Sequence, residues 1–164
     1  MNTIFYAPKS AFSTSEKMIE TVLRSYFNLF DYKIVKDGNG KPFLEFVNKD
    51  NRLFISVTHT NDYYFIAFCN ENVGIDAEKI DRTPNYSSIL SKFPIEEREQ
   101  IATSVDFLKF WTTKESAIKW LGGTIAHDLK NISYLNGKLS YRGLELPVRI
   151  FQTEFLAHIV CVCS

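Results

Sequence analysis

Asp76 and Glu78 stand one residue apart at the end of an apolar run, Val73-Gly74-Ile75-Asp76-Ala77-Glu78. On an extended backbone alternate side chains share a face, so the two carboxylates point the same way. Like charges this close are costly unless a cation lies between them. A small set of hard oxygen ligands suits Mg²⁺, which keeps several waters and draws its remaining ligands from phosphates. The pair therefore points to a metal-assisted phosphate site. About 40 residues further on, Trp111, Glu115 and Lys119 recur at i, i+4 and i+8. That spacing puts the acid and the lysine on one helix face. Taken alone, a Glu-to-Lys pair is also what an ordinary exposed helix carries, for a few tenths of a kcal/mol. Beside a separate acidic site, it offers a third carboxylate for a metal and a cation for the phosphates that metal bridges. His59, closing Ser56-Val57-Thr58-His59-Thr60, and Lys41-Pro42, after a glycine turn, can grip phosphate or serve as plain surface residues.

These groups need a frame. A short strand at residues 4–6, ended by Pro8, precedes a helix over about 16–30, with Ser13 and Ser15 as N-caps and apolar positions at helical spacing. Asp37-Gly38-Asn39-Gly40 is a turn. Strands over 43–47, 53–58 and 63–69, separated at 48–51 and 60–62, make an antiparallel meander, and 73–77 is the next strand. Helical patterns follow at 87–91, 95–103 and 105–121, the last stopped by Gly122-Gly123. The remainder alternates around Asn136-Gly137 and through 148–152 and 155–163, closing a second sheet. The order of helix, strands, helices, strands gives an α+β class.

The 164 residues suffice for one domain or two small packed halves with a substantial core. Nineteen basic and nineteen acidic side chains cancel, so no global field recruits nucleic acid or an anionic membrane. No apolar run approaches the ~20 residues of a membrane span. Three cysteines, Cys69, Cys161 and Cys163, lack framework or zinc-ligand spacing, which points to reduced thiols and a cytoplasmic setting.

Four segments occur in a telling order: Gly40-Lys41-Pro42; Ile55-Ser56-Val57-Thr58-His59-Thr60; Val73-Gly74-Ile75-Asp76-Ala77-Glu78; and Phe110-Trp111-Thr112-Thr113-Lys114-Glu115-Ser116-Ala117-Ile118-Lys119. Together they resemble the signature segments of the 4′-phosphopantetheinyl transferases, most closely the Sfp-type class. The last two are specific; the first two are weak alone. The resemblance implies transfer of phosphopantetheine from coenzyme A to a serine of an apo acyl or peptidyl carrier protein, with release of adenosine 3′,5′-bisphosphate. By position it implies Asp76, Glu78 and Glu115 as Mg²⁺ ligands, with Glu115 also the base and Lys119 on the diphosphate. Lys41, Pro42, Thr58, His59 and Lys114 are implied as contacts to coenzyme A. The implied fold is two similar α+β halves in pseudo-twofold arrangement, residues 1–72 and 73–164, with the first half shortened. Where family members carry basic residues ahead of the first helix, this chain has Ala11-Phe12-Ser13-Thr14-Ser15, with Lys9 the only nearby cation before Lys17. Carrier docking is expected over 82–103, with Phe93 as an apolar contact. Two alternatives stand beside transfer: a non-catalytic coenzyme A or carrier-binding module on the same fold, and a Mg²⁺-dependent phosphodiesterase.

Overall fold

In β5 (Tyr63–Cys69) consecutive residues are all apolar and serve two different cores. The computed structural model describes residues 3–36, 38, 41–46, 49–82 and 86–164. β5 lies inside a five-stranded antiparallel sheet with β1 (Thr3–Pro8), β2 (Tyr32–Lys36), β3 (Pro42–Phe46) and β4 (Lys49–His59), in the order β1-β5-β4-β3-β2. On one face Ile66 and Phe68 pack with Leu44 and Ile55 beneath Met18, Ile19 and Leu23 of α1 (Ser15–Ser25). On the other, Phe65, Ala67 and Cys69 meet a second sheet.

That sheet has the order β10-β11-β6, from β6 (Gly74–Lys79), β10 (Ile150–Phe155) and β11 (His158–Cys163). Its inner face gives Ile75, Ala77, Val160 and Val162 to the shared core. Its outer face gives Ile159 and Cys163 to a third core built on α4 (Ser104–Leu121), which covers it. Each fully buried aliphatic side chain contributes about 1.5–3 kcal/mol to this four-layer stack. Short helices α2 (Ser87–Leu90) and α3 (Ile95–Arg98) lead into α4. From it α5 (Ile125–Asp128) runs into a small sheet of β7 (Ile132–Leu135), β8 (Lys138–Tyr141) and β9 (Leu144–Glu145). Among the described residues no helix is long and apolar enough to cross a membrane.

The α+β class holds, and several boundaries move for physical reasons. α1 stops at Ser25 because Asn28 turns left-handed (φ 52°) and the Leu29 N–H folds back onto the Leu23 carbonyl. Its N-cap is Thr14, which accepts from the Lys17 N–H, rather than Ser13 or Ser15. Residues 49–51, expected in a turn, extend β4; most of the expected turn at 37–40 lies outside the described residues. α3 ends at Arg98 because Thr103 and Asp106 form a reciprocal capping box that starts α4 afresh. Gly122, at φ 70°, closes α4 as expected.

Candidate functional site

The site forms where the edge strand β6 is squeezed between β4 and α4. Ile75 and Ala77 point into the sheet-to-sheet core, so Gly74, Asp76 and Glu78 take the opposite face. Gly74 is what lets α4 come down onto that face. A Cβ there would lie 1.9 Å from the Ser116 carbonyl oxygen and 2.6 Å from the Trp120 nitrogen. With the backbones in contact, Glu115 and Lys119 on α4 overhang Asp76. β4 closes the other side: Ser56 Oγ accepts from the Ile75 N–H (3.0 Å), and Thr58 Oγ1 donates to Asp76 Oδ1 (2.9 Å).

Asp76 is 3% exposed. Its Oδ1 takes a second donor, Lys119 Nζ at 2.7 Å, and Lys119 also donates to the Ile75 carbonyl (3.1 Å). Its Oδ2 is buried and has no hydrogen-bond partner. A buried carboxylate oxygen without a donor costs on the order of 1–3 kcal/mol, which a ligand would relieve. Glu115 lies against it, with Lys119 Nζ 3.8 Å from its Oε2. Burial, then the charge of Asp76, raise the Glu115 carboxyl from its ordinary 4.5 to about 8; Lys119 opposes and Glu78 adds to the rise. Glu78 shares the cleft but is gripped by the Arg82 guanidinium. Among the described residues no three carboxylate, imidazole or thiol groups form a ready-made ion cage. A hard cation there would have to draw on the Asp76–Glu115 pair alone, with waters filling the rest.

These groups line an open cleft of about 720 Å³, together with Lys9, His59, Thr60, Lys79 and Arg82. Lys9 arrives from beyond β1, its Nζ 3.3 Å from His59 Nδ1 and above the Tyr64 ring. Lys119 also borders a second recess of about 230 Å³ that includes Lys41, Pro42 and the Gly122-Gly123 turn. Lys41 Nζ donates to the Trp120 carbonyl at the end of α4 (3.0 Å). The structure thus brings Asp76, Glu78, Glu115, Lys119, Thr58 and His59 together, with Lys41 and Pro42 next door.

Two expectations change, those for Lys114 and Phe93. Lys114 does not reach the cleft: it is fully buried, paired with an equally buried Glu97 at 2.6 Å and set over the Phe93 ring. Glu97 accepts in turn from the Tyr134 N–H, so the pair ties α3, α4 and β7 together. In the repeat of residues that makes α4, Lys114 is one position round from Glu115 and therefore faces the core. Phe93, 3% exposed, is core rather than a docking contact. Thr58 keeps its expected place on the cleft lining and there donates its hydroxyl to Asp76, orienting the acid. Sequence reasoning noted Lys9 only as the one cation near residues 11–15 and gave it no place in the cleft, because that place is set by the β1–β5 pairing and the Lys9 N–H to Asp62 bond rather than by any motif. Arg82 was expected only as the start of the docking stretch; its signal for the cleft is its i+4 position after Glu78.

Known proteins bear on this geometry. The chain is 25% identical over 141 residues to the 4′-phosphopantetheinyl transferase HetI of Nostoc sp. strain PCC 7120, covering 74% of this chain and 56% of HetI. It is 24% identical over 161 residues to the 4′-phosphopantetheinyl transferase gsp of Aneurinibacillus migulanus, covering 90% of this chain and 65% of gsp. It thus spans less than two thirds of the length of either relative. The family description of the 4′-phosphopantetheinyl transferase superfamily matches residues 72–158, a stretch that holds Asp76, Glu78, Glu115 and Lys119. The chain belongs to the 4′-phosphopantetheinyl transferase superfamily.

Proposed function

We propose that this protein moves the 4′-phosphopantetheine group of coenzyme A onto a serine of an apo acyl or peptidyl carrier protein, releasing adenosine 3′,5′-bisphosphate. One observation carries the reading: at the cleft, the unpartnered Asp76 Oδ2 adjoins a Glu115 carboxyl whose proton affinity its neighbours raise. Such a pair suits a cation and an anionic substrate. Mg²⁺ held by Asp76 and Glu115, with Glu78 as third carboxylate once released from Arg82, would neutralise the diphosphate and the charge growing on the leaving oxygen.

The chain's own residues supply positioning and proton handling, since phosphoryl chemistry asks for little else. Lys119, already at Asp76, is placed to meet the diphosphate from the helix side. Lys9 offers a cationic contact across the cleft and His59 a ring nitrogen for hydrogen bonding, and Lys41 and Pro42 extend the binding surface past Lys119. The serine oxygen bonds to the phosphorus carrying pantetheine, and the bond from that phosphorus to the bridging oxygen breaks. The nucleotide leaves with that electron pair. The serine proton passes to the Glu115 carboxylate, directly or through water, because a neutral hydroxyl needs a base to attack.

The division into halves at residues 1–72 and 73–164, related by a pseudo-twofold, belongs to the same proposal. It is supported by the two helix-on-sheet layers built from residues 3–69 and from 74 onward. A cytoplasmic setting is proposed too, supported by three buried free cysteines. The test is mass spectrometry of a panel of apo carriers incubated with the protein and coenzyme A, with Mg²⁺ or with chelator. Transfer is expected with Mg²⁺ and its loss in Asp76→Ala. A well-folded protein that binds coenzyme A without transferring would favour a binding module. Phosphopantetheine released without an acceptor would favour a phosphodiesterase.

A further inference from the structure

Three hydroxyls spaced two residues apart tie β4 to the acid-bearing sheet. Ser56, Thr58 and Thr60 continue the face of β4 on which Phe54 meets that sheet, while Ile55 and Val57 turn to the core under α1. Ser56 Oγ takes the Ile75 N–H, and Thr58 Oγ1 donates to Asp76. Those two ties hold the acid strand itself. The third, from Thr60 just past the end of β4, reaches beyond that strand to Nε2 of His158 on β11, at 3.1 Å.

His158 is 1% exposed and packs against the rings of Tyr63 and Phe65. Its partners fix where its hydrogen sits. Nδ1 lies 2.6 Å from the Leu156 carbonyl, which can only accept, so Nδ1 carries the ring hydrogen and donates it. Thr60 Oγ1 already accepts from the Tyr63 N–H (3.2 Å) and the Asp62 N–H (3.4 Å), which leaves its own hydrogen for Nε2. The ring is therefore neutral, with both nitrogens spent. Lys79 stands opposite His158 in the β6–β11 register, and its Nζ reaches Asp62 of the same turn (3.0 Å). That ion pair is open to solvent and worth little, so the buried His158–Thr60 bond is the firmer link between the sheets at this end.

His59 stands between Thr58 and Thr60, so its backbone is held to the second sheet from both sides. Lys9, whose Nζ donates to His59 Nδ1, is tied to the same turn by its own N–H on the Asp62 carbonyl (2.8 Å). We propose that His158 is a positioning residue for coenzyme A: through Thr60 it fixes how far His59 and Lys9 stand from Asp76 and Glu115. The inference rests on the transferase reading above. An anionic ligand that spans the cleft must meet both groups at once, and groups held at the right spacing beforehand spare it the cost of arranging them. His158 itself does not line the cleft, and it acts only through Thr60, which does. Asp76, Glu115 and Lys119 do not depend on it, because the Gly74 contact and the Thr58 hydroxyl place them.

The test is steady-state transfer to an apo acyl carrier protein, with melting temperature measured alongside. An Asn amide reaches the place of Nδ1 and a Gln amide that of Nε2, so His158→Asn keeps the Leu156 bond and loses Thr60, while His158→Gln does the reverse. Both are expected to lower the melting temperature. Only His158→Asn is expected to raise KM for coenzyme A, by roughly three- to tenfold, the range of one neutral hydrogen bond, with kcat and the carrier KM unchanged. Lost stability alone would lower the active fraction, and so the apparent kcat, at constant KM. Thr60→Val removes the same bond from the other sheet and is expected to raise KM for coenzyme A by a like factor. His158→Asn/Thr60→Val should then be no worse than either single change. In the unaltered protein, nitrogen NMR of the imidazole is expected to find the proton on Nδ1. A KM for coenzyme A unmoved by His158→Asn and by Thr60→Val overturns the inference while leaving the transferase reading intact. So do equal rises in His158→Asn and His158→Gln, or a proton found on Nε2. Absence of transfer by the unaltered protein to any carrier removes the transferase reading, and this inference with it.

Discussion

Replacing Gly74 by alanine should separate the acid strand from the helix that completes the site. The added Cβ would lie 1.9 Å from the Ser116 carbonyl oxygen and 2.6 Å from the Trp120 nitrogen, whereas ordinary contact begins at 3.4 Å. Both neighbours are backbone atoms of α4, so no rotamer change absorbs the clash and the helix must retreat by roughly 1.5 Å. Glu115 and Lys119 ride on that backbone. The 2.7 Å Lys119–Asp76 bond would lengthen past hydrogen-bond range. Overpacking of this kind costs about 1–3 kcal/mol, and a reacting group displaced by about 1 Å loses on the order of 100-fold in rate. Thermal melting and carrier labelling with a fluorescent coenzyme A analogue read the two effects separately. Gly137→Ala is the control: its φ of 76° strains an alanine, but nothing lies within 4 Å, so stability falls by about 1 kcal/mol while transfer persists. A Gly74→Ala protein with unaltered melting temperature and kcat/KM would refute the close-approach argument.

The raised proton affinity of Glu115 sets a pH dependence. Its carboxyl titrates at about 8 in the folded protein against 4.5 ordinarily, so the folded form binds the extra proton and metal-free stability falls as pH climbs from 4.5 through 8. The full effect is of order 5 kcal/mol at ~1.4 kcal/mol per decade of proton affinity. Mg²⁺ should therefore raise the melting temperature more at pH 8.5 than at pH 6; an equal gain at both would contradict its binding at Glu115. Lys114→Ala leaves Glu97 buried and unpaired, which should cost ~3–5 kcal/mol in chemical denaturation with KM for coenzyme A unmoved. A raised KM with normal stability would put Lys114 back in the binding site. Lys9→Ala should raise KM for coenzyme A about tenfold at unchanged kcat, as loss of one charge-assisted phosphate contact does. An unchanged KM would remove Lys9 from that role.

What was legible in the sequence follows from how local its cause is. α4 could be read because its apolar spacing and its Gly122 stop are local signals, and the β7–β8 hairpin because Asn136-Gly137 leaves little else open. β2 was invisible: it is an edge strand in which Lys33, Ile34 and Lys36 are all exposed, on both faces, so no two-residue hydrophobic period marks it. The long helix expected through Phe30 failed because Phe27 and Phe30 keep helical spacing by coincidence while Asn28 breaks the backbone. At the site, the acids and Lys119 were legible as motif positions. Which lysine of Lys114 and Lys119 faces the cleft was not, because it depends on how α4 sits on β6. That is set by the missing Cβ of Gly74. The place of Lys9 depends on the pairing of β1 with the distant β5, while that of Arg82 is marked only by its position four residues after Glu78.

The most direct measurement is a crystal of this protein grown with coenzyme A and Mn²⁺ in place of Mg²⁺, with the metal located by its anomalous scattering. The expected result is a single peak within about 2.0–2.2 Å of Asp76 Oδ2 and a Glu115 oxygen, with the diphosphate completing its ligands. The same density would show whether Glu78 has left Arg82 to join them. Coenzyme A bound in the cleft with no metal at Asp76 and Glu115, or a peak elsewhere, would contradict the account.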